Sequence, residues 1–133
     1  MSKDLTGACL CGAVRYRVVG APLEAGYCHC RMCQRASGAP TQAWATYPIE
    51  RLTYEGTAPQ IYRSSRWGER RFCGACGSQL EFREAEEPTT VSLNLGTLDD
   101  PETVAPQMHI YCSSRLPWFE TDDDLPRYPE DSG

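Results

Sequence analysis

The chain has 133 residues, 41% of them hydrophobic, with eight cysteines and a formal net charge of −5. That length suits one domain with a real but modest core. The acidic balance argues against a nucleic-acid partner, which calls for a basic face, and no apolar run approaches membrane-spanning length.

The N-terminal MSKDLTG carries no apolar stretch that could act as a secretion signal, so a cytoplasmic location is expected. Cys9 and Cys11 form C-x-C just before an alternating strand at residues 13–19, which ends at Gly20. Cys28, Cys30 and Cys33 form C-x-C-x-x-C, and residues 31–36 could make a turn or two of helix, stopped near Gly38 and Pro40. Strands are expected at 41–46 and 52–55, with Pro48 and Gly56 as breaks, and then at 60–63, 70–72 and 79–82. Cys73 and Cys76 form C-x-x-C between the last two. Residues 91–95 and 108–111 complete the strands, and Asp100-Pro101-Glu102 opens a short turn with Asp100 as cap and Pro101 in first position. Short period-two runs separated by turn residues make a mainly β domain with little helix. There is no repeat and no dividing linker. Residues 1–121 form the domain. Residues 122–133, with Asp122, Asp123, Asp124, Glu130 and Asp131, form an acidic, proline-containing tail expected to stay solvated.

Seven of the eight cysteines therefore group as two, three and two. Disulfides fit this pattern poorly, because a C-x-C pair in extended chain reaches disulfide geometry only with difficulty. Metal knuckles fit it well. Gly12 and Gly77 each follow the last cysteine of a pair, where a sharp turn needs positive φ. Two pairs make a closed four-thiolate zinc site, and a triplet makes a site one ligand short, with room for substrate. Two filled sites would move the formal charge to about −8, counting ligand charges. Cross-linking two turns about sixty residues apart constrains the unfolded chain strongly, which is a structural role.

Gly7-x-Cys9-x-Cys11-Gly12-x-Val14, Cys28-His29-Cys30-x-x-Cys33, Ser37-Gly38-Ala39, Phe72-Cys73-x-x-Cys76-Gly77-Ser78-x-Leu80, His109-Ile110 and Pro117-Trp118 together resemble the glutathione-dependent formaldehyde-activating (GFA) family, which shares its domain with centromere protein V. The resemblance runs from about Thr6 to Pro129. It implies an Mss4-like zinc-binding fold of short antiparallel strands. It implies that Cys9, Cys11, Cys73 and Cys76 hold a structural zinc, and that Cys28, Cys30 and Cys33 hold a catalytic one, giving two Zn2+ per chain. The implied activity is that of a carbon–sulfur lyase running in the direction of addition, glutathione to formaldehyde.

A zinc-bound thiol is held as thiolate, the nucleophilic form. The expected partner is thus a small-molecule thiol or aldehyde, with neither nucleic acid nor membrane; the sequence leaves the oligomeric state open. Glutathione carries two carboxylates, so Arg31 with Arg35, and Arg66 with Arg70 and Arg71, are candidate contacts, though solvated or ion-paired arginines are the ordinary case. Trp67 and Trp118 could line a pocket or simply pack. In extended chain His29 points away from a metal shared by Cys28 and Cys30. His109 reads as a satisfied core residue or as one serving the pocket. Cys112 belongs to no cluster: it is either a buried free thiol or a fourth ligand closing the triplet site. With that site closed, the chain would be a non-catalytic zinc-stabilised binding module.

Overall fold

In the computed structural model, which describes residues 4–132, β1 (Leu5–Ala8), β2 (Val14–Val18) and β5 (Leu52–Gly56) form a three-stranded sheet in the order β1-β2-β5. A seven-stranded sheet runs in the order β10 (His109–Ile110), β3 (Glu24–Cys28), β4 (Gln42–Pro48), β9 (Thr90–Asn94), β8 (Gln79–Glu84), β7 (Gly68–Phe72) and β6 (Gln60–Arg63). Pairing is antiparallel except between β10 and β3. The helix α1 (Arg31–Ser37) follows β3 directly and ends at Gly38, whose φ of 70° gives a left-handed cap. The mainly β expectation holds.

Alternation explains the layering. In β2, Val14, Tyr16 and Val18 are buried while Arg15 and Arg17 are exposed. The buried three join Ala25, Ala45, Tyr47, Val91 and Leu93 of the larger sheet in one apolar core, together with Cys9 and Cys73. Each valine or leucine among them contributes about 1.5–3 kcal/mol by leaving water.

Residues on the other face of the larger sheet position the triplet. Cys28 pairs with Gln42, Thr46 with Ser92, Ser92 with Phe82, and Phe82 with Arg70. Paired residues share a face, as do residues two apart. Cys28, Gln42, Trp44, Thr46, Ser92, Phe82 and Arg70 therefore line one continuous surface.

Two strands go beyond the sequence reading, β1 and β3. Each has a central glycine where a neighbour passes close. A Cβ on Gly26 would sit 2.8 Å from Met108 and 3.0 Å from Trp44. Glycine weakens a strand pattern when read from sequence, yet here it is what lets the strand approach.

The C-terminal segment is not the free tail expected. Its acids at 122, 124, 130 and 131 are exposed, but its backbone lies along β10. The Tyr128 N–H donates to the His109 carbonyl at 2.9 Å, and the His109 N–H donates to the Pro126 carbonyl at 2.8 Å. Hydrogen bonds to a strand edge, with Tyr128 packed against the Cys28, Trp44 and Ile110 cluster, order this segment.

A Cβ on Gly7 would lie 2.3 Å from the Tyr16 ring and 2.6 Å from the Thr97 carbonyl. Backbone cannot yield as a flexible side chain can. Gly7→Ala should thus lower unfolding stability by about 1–3 kcal/mol, the usual range for overpacking, as measured by urea denaturation.

Candidate metal centres

The first group is built from two equivalent turns. The Cys9 N–H donates to the Val14 carbonyl and Gly12 N–H to the Cys9 carbonyl; likewise Cys73 N–H donates to the Ser78 carbonyl and Gly77 N–H to the Cys73 carbonyl. Gly12 and Gly77 sit at φ of 80° and 82°, the positive values expected of them. These turns bring the sulfurs of Cys9, Cys11, Cys73 and Cys76 within 4.8 Å of one another. The Cys9–Cys11 and Cys11–Cys73 separations are 3.6 and 3.8 Å. A tetrahedron of sulfurs about 2.3 Å from a zinc ion has edges of about 3.8 Å, so the donor set and its spacing fit such an ion. The N–H groups of Val14 and of Ala75 and Cys76 point at Cys9 and Cys73 sulfurs at 3.3–3.4 Å, offsetting thiolate charge.

The second group comes from the β3–α1 junction. Cys28 ends β3, Cys30 caps the helix by accepting the Cys33 N–H at 3.3 Å, and Cys33 lies in the first turn. Their three sulfurs also lie within 4.8 Å of one another. Gln34 locks the junction: its amide donates to the His29 carbonyl at 2.8 Å and the Ser114 carbonyl at 3.2 Å. Three crowded thiols share charge unequally. Hydrogen bonds from Cys28 and then Cys33 pull Cys30 far below its ordinary value, and the contact with Cys30 pushes Cys28 up. A divalent cation would let all three ionise.

Cys112 stands apart from both groups. It lines a small cavity of ≈ 50 Å³ with His29, His109, Arg115, Phe119, Thr121 and others. Burial pushes its thiol up.

His29 points away from the sulfurs, as expected for extended chain, and is buried with His109. His29 Nε2 lies 2.9 Å from His109 Nδ1, and His109 Nε2 lies 3.1 Å from an Asp123 oxygen. With a proton on His109 Nε2 facing the carboxylate, a neutral ring would accept at Nδ1 from His29 Nε2–H. Burial pushes His29 down to about 4, so it stays neutral. The chain of bonds fastens the C-terminal segment to the strand that carries the triplet.

The arginines separate into three surroundings. Arg31 and Arg35 border a groove of ≈ 300 Å³ beside α1 with Trp118 and Leu116. Arg71 pairs with Glu69 at 3.2 Å and with the fully buried Glu81 at 3.6 Å. Glu81 also takes both nitrogens of Arg83 and the Tyr54 hydroxyl at 2.6 Å. Arg66 and Trp67 are exposed. Arg70 alone of its group is buried beside the triplet, with Nη2 3.9 Å from Cys33 Sγ. Sequence reasoning missed Gln42 and Trp44 as neighbours of the triplet. Their spacing of two put them on one face of an expected strand, but the pairing with Cys28 comes only from the register.

The family model described as glutathione-dependent formaldehyde-activating enzyme matches residues 4–114. The chain belongs to this family. A Halomonas elongata protein, provisionally named a glutathione-dependent formaldehyde-activating enzyme, is 28% identical over 96% of this chain and 90% of its own. An uncharacterised lyase of Schizosaccharomyces pombe is 29% identical over 59% of this chain and 57% of its own. A crystal structure of a Rhodobacter sphaeroides protein has the same fold, with TM-score 0.58 at 20% identity, covering 92% of this chain and 98% of that one. The GFA match stops before Phe119, Thr121, Asp123 and Arg127, so the groups that secure the buried histidines lie beyond it.

Two substitutions separate the cysteines. Cys112→Ala should leave metal content unchanged, whereas Cys33→Ala should remove one ion per chain and spare the other, as counted by elemental analysis of purified protein.

Proposed function

We propose that this GFA-family chain is a zinc-dependent enzyme of the carbon–sulfur lyase type, adding a thiol such as glutathione to formaldehyde or another small aldehyde. The unequal division of seven cysteines carries this reading. Four sulfurs make one group and three make the other, and no fourth protein donor joins the three among the described residues. In this reading Cys9, Cys11, Cys73 and Cys76 hold a structural ion, and Cys28, Cys30 and Cys33 hold one with a position left for substrate. A zinc ion at the second site would keep a substrate thiol ionised at neutral pH.

The chain's own residues supply binding and order. Arg31 and Arg35 border the groove on the flank of the helix that bears Cys33, where cations suit the carboxylates of glutathione. Gln34 holds the helix against the ligand strand, fixing the three sulfurs relative to one another. The Asp123–His109–His29 bonds brace that strand from behind without offering a base to the sulfur side. In the reaction the thiolate sulfur bonds to the aldehyde carbon, the C=O π pair moves to oxygen, and a proton from water completes the hemithioacetal. The name of the Halomonas relative agrees with this chemistry. A binding module with both metal sites closed would need a fourth donor at the triplet, and Cys112 lines a different cavity. A cytoplasmic setting, where thiols stay reduced, suits seven thiolates held for metal.

Exchange NMR of glutathione and formaldehyde should show faster interconversion with the adduct when zinc-loaded protein is present, and Cys33→Ala should abolish the gain. No acceleration over the spontaneous addition would remove this activity. Elemental analysis should find about two zinc ions per chain, and graded chelation should strip one well before the other, since three protein ligands hold less tightly than four.

A further inference from the structure

Two hydrogen-bond donors beside the cysteine triplet have no adequate acceptor. Arg70 is 7% exposed and makes no ion pair among the described residues. Its guanidinium lies 5.2 Å above the Phe82 ring, 3.5 Å from Gln42 Oε1 and 3.9 Å from Cys33 Sγ. Those contacts are long for an always-charged group with five N–H donors. Trp44 is 8% exposed, and its indole Nε1–H is buried with no partner. It packs in the same small cluster as Cys28, with Cys30 and Cys33 against it. Leaving such a donor unpaired costs about 1–3 kcal/mol. Both residues stand on the sheet face that carries Cys28, joined by the register through Gln42, Thr46, Ser92 and Phe82.

A cation beside one sulfur of the triplet, and an orphan N–H on a ring packed in the same cluster, suit an anionic oxygen. We propose that Arg70 and the Trp44 indole form an oxygen-holding site at the triplet, which takes the aldehyde oxygen as the C=O π pair moves onto it. This rests on the reading that thiol and aldehyde meet there. Donors fixed where charge develops stabilise the transition state more than the ground state. Surrounding the site with Phe82 and Ile110 keeps those donors out of bulk water, where they would count for less.

Formate is a suitable probe, because it presents one carbon and an anionic oxygen and carries no thiol. Cobalt(II)-loaded protein titrated with formate should give a saturable change in the cobalt absorption bands. Arg70→Met should weaken formate binding about 10-fold or more, as for loss of a charge-assisted hydrogen bond, and Trp44→Phe by about 3-fold or more, as for a neutral one. Arg70→Lys should recover part of the loss. Trp44→Phe keeps an aromatic ring in the cluster, so it remains informative if Arg70→Met does not fold. In zinc-loaded protein, Arg70→Lys should lower kcat for adduct exchange with little change in KM for the thiol. Formate affinity unchanged in Trp44→Phe and Arg70→Lys at full metal content would overturn the proposal, as would wild-type protein that shows no formate response. Formate binding that weakens in both variants, with no adduct exchange in wild type, would uphold the oxygen site and remove the thiol–aldehyde reaction.

Discussion

Four sulfurs from two turns 62 residues apart lie within 4.8 Å of one another, and four thiolates cannot share that space without a cation. The junction of the two sheets is arranged around this convergence. The Cys9–Cys11 turn leads into β2, and the Cys73–Cys76 turn joins β7 to β8, so joining the turns sets the smaller sheet on the larger. Cys9 and Cys73 are themselves buried members of the core between the sheets. A domain of this size has a modest apolar core, and a metal that binds only the folded arrangement adds its binding energy to stability.

The second group obeys a different logic, set by the alternation of one strand. Cys28 and Cys30 present their sulfurs to one side, and Tyr27 and His29 present their rings to the other. On the sulfur side lie Trp44, Arg70 and Gln42, a polar and partly unsatisfied surface. On the ring side lie His29, His109 and Asp123 in a hydrogen-bonded row, with His29 Nδ1 the only unpaired nitrogen of the three residues. The histidine row and the cysteine group are thereby kept on opposite faces. A strand held from behind by two buried histidines can keep three sulfurs at fixed spacing.

Much of this was legible in the sequence, because cysteine spacing and glycine position report directly on local geometry. The C-x-C-G and C-x-x-C-G turns required positive φ at Gly12 and Gly77, and both have it. The placement of His29 away from the sulfurs follows from the period of an extended chain. The strands β1 and β3 were hidden because Gly7 and Gly26 answer to the bulk of Tyr16, Met108 and Trp44, which lie far away in sequence. Arg70 stands out in the sequence only as one of several candidate carboxylate contacts and Trp44 only as part of a strand, since their meeting depends on register across four strands. Docking of the C-terminal acidic segment escaped notice for a related reason. Its order comes from backbone bonds to the edge of β10 and from the Asp123–His109 contact, neither of which a sequence pattern reveals.

One closed and one open metal group is the claim on which the chemistry turns. Zinc-edge X-ray absorption on protein carrying two ions per chain counts sulfurs per metal directly. Seven cysteines shared by two ions should give an average of about 3.5 sulfurs, with a light oxygen or nitrogen scatterer completing the shell. An average of four sulfurs with no light scatterer would mean that both groups are closed, and the second would then have no position for a substrate.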